Sequence, residues 1–319
     1  MLGRQVPHLL ECVIQDQTKL TTRQPPLHMQ YSIVDGLRIE PAPKLKGSCP
    51  ACGNPTIAKC GSKVIWHWAH AGRVHCDPWW ENETEWHRAW KSCFPTEQRE
   101  IIKFDTAGEK HIADVQIPTG MVIEFQNSPI SLEELQSREK FYGDMLWIVN
   151  ARSFEKQFFL MSPVPDPETE LGQDIVFSAE QKPIKMLKPA PLAGLHFWLR
   201  SENIDHAGMV RIRGSDEFAE KIFESYNGHH LFYWKKPRDV WLKATAPVFF
   251  DFGDEALWHL ESYHEDYAVK AIRRILKSDL VVKHGGNIKA IQSQMGETPI
   301  HPQVAPDQIR ALWRGERLG

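Results

Sequence analysis

The order of recognisable elements in this 319-residue chain predicts an α/β protein with a mixed sheet. Three observations carry that. From about residue 81 to 150 the chain reads as helix, three strands, helix, strand. Two of those strands, Ile112 to Ile117 and Met121 to Phe125, flank Pro118-Thr119-Gly120, a turn-forming trio that folds one back on the other. The last, MLWIVN at 145–150, is a continuous apolar run suited to a central strand buried on both faces.

Each element has its own warrant. ENETEWHRAWKSCF at 81–94 is rich in helix formers and stops at Pro95. A strand follows at 98–104. Ser131 with Glu134 three residues on is a capping-box pattern that opens a helix over about 131–142. Around this core the chain divides into a strand-rich lead-in (1–45), a Cys/His/Trp-rich segment (46–80), the α/β core (81–162), a proline-marked connection (163–192) and a C-terminal α+β lobe (193–319). Within that lobe 216–225 and 254–277 read as helices, and its surface is the expected place for protein partners.

Composition narrows the class. Hydrophobic content of 42% and charged content of 25% are ordinary for a globular protein. No apolar stretch approaches the roughly 20 residues that span a bilayer, and the first residues lack the pattern of a signal peptide. The expectation is a cytoplasmic protein with no membrane partner. A net charge of -3 does not announce a nucleic-acid binder. From Lys270 onward, nine Lys/Arg against four Asp/Glu make a basic tail, either a phosphate contact or a solvated face.

Cys49-Pro-Ala-Cys52-Gly is a CxxC knuckle, and His67-Trp-Ala-His70 follows fourteen residues later. Two thiolates and two imidazoles suit tetrahedral Zn²⁺, and four protein ligands leave no open position, so the metal reads as structural. Cys60, His75 and Cys76 lie near enough to replace a histidine. Six of the twelve tryptophans fall between Trp66 and Trp90, as core for a small metal module or as stacking surfaces for bases.

Asp114, Glu124 and Gln126 carry the candidate chemistry. Glu124 and Gln126 are two apart on one strand and leave the same face, and the turn brings Asp114 back beside them. Two carboxylates converging in an apolar sheet are costly without a cation. Their hard oxygens suit Mg²⁺ or Mn²⁺, which act on phosphodiesters. Glu83, His87 and Lys91 share the spacing of one helix face, as do Glu134, Arg138 and Tyr142. Arg138 and Lys91 are candidate phosphate contacts, with ordinary surface ladders as the alternative.

The series CPACG, HWAH, ETEWHRAWK, HIADVQ, IEFQNSPIS and EELQSREKFY resembles the CoiA-like competence protein family over residues 49 to 150. The resemblance implies a zinc-binding segment joined to a nuclease domain of the PD-(D/E)XK, or restriction-endonuclease-like, superfamily. That core is helix, three antiparallel strands, helix, strand. It makes Asp114 the first acid, Glu124 and Gln126 the (D/E)-x-K element, and Glu83 the glutamate of the first helix. Asp114, Glu124 and the carbonyl of Phe125 would hold Mg²⁺, Gln126 would position water, and Glu83 and His87 would support the site. Gln126 departs from the superfamily's lysine, as the CoiA-like pattern does. The implied function is metal-dependent cleavage of DNA in competence, recombination or defence. The alternatives are a zinc-containing nucleic-acid-binding protein without turnover, or an interaction adaptor.

Overall fold

The computed structural model describes residues 28–72, 76–79, 81, 83–177, 196–202, 211–264 and 269–292. His75, the first part of the strand-rich lead-in, half of the proline-marked connection and the end of the basic tail lie outside the described residues.

The first module is a five-stranded antiparallel sheet in the order β2-β1-β3-β4-β5. Its strands are β1 (Ser32–Val34), β2 (Leu37–Ile39), β3 (Lys46–Ser48), β4 (Pro55–Lys59) and β5 (His67–His70). Trp68, fully buried, packs with Met29 and Cys49 at its centre and donates its indole N–H to the Ile39 carbonyl.

The expected order then follows: α1 (Glu85–Ser92), β6 (Arg99–Phe104), β7 (Lys110–Gln116), β8 (Val122–Gln126), α2 (Leu132–Tyr142) and β9 (Met145–Asn150). Thr84 caps α1 in a capping box with His87, and Ser131 caps α2 by accepting from the Glu134 N–H. The β7–β8 turn closes through the Gly120 N–H on the Ile117 carbonyl, with Gly120 at φ 96°, which a side chain would disfavour. Strands β6, β7 and β8 are antiparallel, and α2 carries the chain over to β9, parallel to β8. β9 is buried on both faces: Trp147 and Val149 enter one hydrophobic cluster, Leu146 and Ile148 the other.

The C-terminal strands do not all form a separate lobe. β10 (Phe158–Pro163), β14 (His229–Trp234), β15 (Val248–Asp251), β16 (Ala256–His264) and β17 (Val269–Leu276) extend the same sheet. Its order is β10-β14-β17-β16-β15-β9-β8-β7-β6, with β15 parallel to β9. Among the described residues, a small sheet stands aside, made of β11 (Ile175–Phe177), β12 (His196–Leu199) and β13 (Arg213–Gly214). The helix expected over 254–277 is instead the antiparallel β16–β17 pair, and helix begins only at α3 (Lys277–Lys283). Good helix formers there obscured a two-residue alternation: Trp258 and Leu260 pack in one cluster, Leu257 in the other. No described helix is long and apolar enough to cross a membrane.

Candidate zinc centre and carboxylate cavity

Cys49, Cys52, His70 and Cys76 bring their ligand atoms within 4.8 Å of one another. The knuckle turns through the Gly53 N–H on the Cys49 carbonyl at 2.8 Å. His70 Nε2 is 3.2 Å from Cys52 Sγ, and Cys49 and Cys76 sulfurs are 3.9 Å apart. The hydrogen bond with Cys76 holds the Cys49 thiol down at about 4, against burial and with help from the N–H groups of Cys52 and Ala51. Three sulfurs and one imidazole at this spacing fit Zn²⁺.

One expected ligand is replaced. His67 and His70 stand three apart on a strand, so their side chains leave opposite faces. His70 pairs with Thr56 next to the knuckle, while His67 pairs with Lys59 at the far end. The His67 ring stacks on His28 at 3.6 Å, and Nδ1 lies 2.8 Å from the Ile65 carbonyl. Cys76 takes its place; Cys60 is outside the group.

The second site sits where the sheet's backbone ladders open. The β7–β8 ladder ends at Val115–Ile123, and Asp114 and Glu124 are the next facing positions. There the side chains take over: the Asp114 N–H donates to Glu124 Oε1 at 3.1 Å, and the Phe125 N–H to Asp114 Oδ2 at 2.9 Å. On the other side the β6–β7 ladder pairs Arg99 with Val115 and Ile101 with Ala113, skipping the Glu100–Asp114 position. Glu100 has φ 47°, strained for a residue with a side chain. Glu100, Asp114 and Glu124 therefore form a row across three strands.

This row lines a cavity of about 70 Å³. One water needs roughly 10–15 Å³ on this measure, so there is room for an ion with a few waters. Six carboxylates line it: Asp77, Glu81, Glu83, Glu100, Asp114 and Glu124. Lys91 and Arg138 are the two permanent cations, leaving a formal excess of four negative charges with the histidines neutral. Burial and then Asp114 push the Glu124 carboxyl up to about 8, although Arg138 pulls it back. Burial would also raise Glu83, but Lys91 and Arg88 reverse this and hold it at about 2.

The remaining expected residues divide. Glu83 precedes the N-cap of α1 rather than lying within the helix, and is paired with Lys91 at 2.5 Å and Arg88 at 2.8 Å. His87 Nε2 lies 2.9 Å from the Phe125 carbonyl and 3.1 Å from Glu81 Oε2. Lys91 and Arg138 are not surface phosphate contacts. Lys91 is buried between Glu83 and Glu100; Arg138 is buried against Glu124 at 3.0 Å, Glu134 and the Trp79 carbonyl. Gln126 does not join the cavity either. Its amide donates to the Ser128 carbonyl at 3.1 Å and so fixes the chain after β8.

Sequence reasoning missed Asp77, Glu81 and Glu100. The signal for Glu100 was register, since it is the position facing Asp114 on the neighbouring strand. Asp77 and Glu81 reach the cavity from the segment between Cys76 and α1, which has no periodic pattern to read.

Residues 43–78, which hold the four clustered ligands, match the family described as Competence protein CoiA, N-terminal domain. No curated protein and no solved structure matches the chain.

Proposed function

We propose that the protein is a metal-dependent nuclease that hydrolyses DNA phosphodiester bonds, with a restriction-endonuclease-like core, serving competence or a related DNA-processing route. The observation that carries this is the excess of carboxylates, buried at Asp77, Glu83 and Glu124 and half-buried at Glu81, Glu100 and Asp114, around the cavity. Buried acids in such excess are stable only with protons or cations. A bound Mg²⁺ or Mn²⁺ supplies Lewis acidity toward a phosphodiester.

The chain's own groups prepare that site. Asp114 and Glu124 offer hard oxygens, and the Phe125 carbonyl, held by His87, keeps a second lone pair. Lys91 supplies a fixed positive charge: Glu100, Glu83 and Asp114 raise its pKa despite its burial. It stands where Gln126 brings no cation. The match of residues 43–78 to a competence protein's N-terminal domain supports the biological setting.

The test is a DNA nicking and degradation assay with Mg²⁺ or Mn²⁺. Asp114→Ala and Glu124→Ala should each abolish cleavage and leave DNA binding intact; wild-type rates in both variants would remove the site. The rival is a zinc-containing nucleic-acid-binding protein without turnover. Arg138, which already partners Glu124, favours it. DNA binding with no cleavage across several divalent ions would establish that reading.

A further inference from the structure

We infer that Asp77 is a positioning residue through which the Cys₃His centre sets the divalent-cation affinity of the Asp114–Glu124 pair. This rests on the reading of that pair as a cation site. The residue directly after the ligand Cys76 is Asp77, which is buried at 6% exposure. Its Oδ2 accepts the Ile112 N–H at 2.8 Å, and its Oδ1 lies 2.9 Å from His111 Nδ1. One residue earlier on β7, Lys110 Nζ donates to the Ala51 carbonyl at 2.8 Å, between the ligands Cys49 and Cys52. Three consecutive residues of β7 are thus tied to both parts of the ligand set, the knuckle and Cys76.

Asp114 is two residues beyond Ile112 on the same strand, about 7 Å away at the usual strand rise. Over that distance β7 is held by β6 alone, at Ile112 and Ala113, so a displacement at Ile112 passes along the extended strand toward Asp114. At Asp114 both ladders open, so the carboxylate's position depends on what holds the strand just before it. The module also reaches the neighbouring acid of the row, through the Gln30 N–H on Glu100 Oε1 at 3.0 Å. Among the described residues, the knuckle and Cys76 meet through the Cys49 and Cys76 sulfurs at 3.9 Å. Four bonds to one Zn²⁺ fix them relative to each other, and with them Ala51 and Asp77 on β7.

Asp77 Oδ1 also accepts the Trp79 N–H at 3.0 Å. Asparagine at 77 keeps the other two contacts but turns its NH₂ toward that donor. Its oxygen accepts the Ile112 N–H, and its NH₂ donates to His111 Nδ1 once the imidazole carries its proton on Nε2, 2.9 Å from Glu109 Oε1. Alanine loses all three.

The experiment titrates the full chain with Mn²⁺ alone, following free Mn²⁺ by electron paramagnetic resonance, with zinc content measured in parallel. Asp77→Ala with its full zinc equivalent should bind Mn²⁺ about tenfold or more weakly, the scale of outer-shell substitutions. Asp77→Asn, which keeps the Ile112 and His111 contacts and loses the one to Trp79, should fall between wild type and Asp77→Ala. Zinc-depleted wild type that keeps its circular dichroism should weaken like Asp77→Ala. Should Asp77→Ala fail to fold, Lys110→Met cuts the other tether and should still weaken Mn²⁺ measurably.

Wild-type affinity in zinc-replete Asp77→Ala or in Lys110→Met overturns the coupling. So does a zinc-depleted wild type, folded by circular dichroism, that binds Mn²⁺ as tightly as the zinc-replete protein, because zinc would then set nothing. A wild type that binds no Mn²⁺ overturns the cation site itself, an outcome distinct from a wild type that binds while the variants do not differ.

Discussion

The backbone N–H of Asp114 donates to Glu124 Oε1 at 3.1 Å, in the gap where the β7–β8 ladder stops. A carboxylate that replaces a backbone carbonyl in a sheet brings its charge into the sheet. That charge has a measurable pH consequence.

The folded Glu124 carboxyl, at about 8, lies above its value of 4.5 in an unfolded chain. Between those pH values the folded state holds a proton that the unfolded state has lost, so stability falls as pH rises from 4.5 to 8. Metal-free wild type should lose a few kcal/mol over that window, at about 1.4 kcal/mol per unit of pKa difference at most. Glu124→Gln should flatten the profile, as thermal melts from pH 5 to 8 will show. Equal slopes in both proteins would refute the shift.

Zinc content separates the two histidines. His67→Ala should retain about one equivalent of zinc, whereas Cys76→Ser and His70→Ala should lose most of it and fold poorly. Plasma mass spectrometry on purified variants reads this directly. Zinc loss in His67→Ala with retention in Cys76→Ser would reverse the ligand assignment.

Outside the cavity lining, Asp251 accepts the indole N–H groups of Trp86 and Trp90, each at 2.9 Å, and pairs with buried Lys277 at 2.7 Å. Asp251→Ala strands that ammonium and both indoles. The expected loss is about 3–5 kcal/mol, measured by urea unfolding. A loss below about 1 kcal/mol would show that water replaces the carboxylate.

Gln126→Ala offers a check on the chemistry. With its amide on the Ser128 carbonyl rather than in the cavity, the variant should slow DNA cleavage by about tenfold or less, far below the effect of Asp114→Ala. A loss as large as that of Asp114→Ala would return Gln126 to the reacting centre.

The elements from α1 to β9 were legible because their causes are local: caps at Thr84 and Ser131, the turn at Pro118 to Gly120, and the apolar run of β9. The Cys49–Cys52 knuckle was legible for the same reason, as a turn of four residues. His67 misled because HxxH spacing brings two imidazoles together on a helix but not on a strand. Glu100 was hidden in strand register, and Asp77 and Glu81 in an extended segment whose path is set by tertiary contacts. Over 254–277, the composition spoke for helix while burial followed a two-residue period.

The parallel pairing of β9 with β15 joins residues about 100 positions apart, Trp147 with Val248 and Asn150 with Asp251. During synthesis β9 leaves the ribosome with one edge unpaired, and its partner follows only after roughly 5–20 s at usual elongation rates. Through that interval an apolar edge, MLWIVN, is open to wrong partners. Yield in the cell should therefore depend on chaperone supply and temperature more than on the stability of the finished fold. A chain ended near residue 165 would keep both candidate centres yet remain fixed in that unfinished, aggregation-prone state.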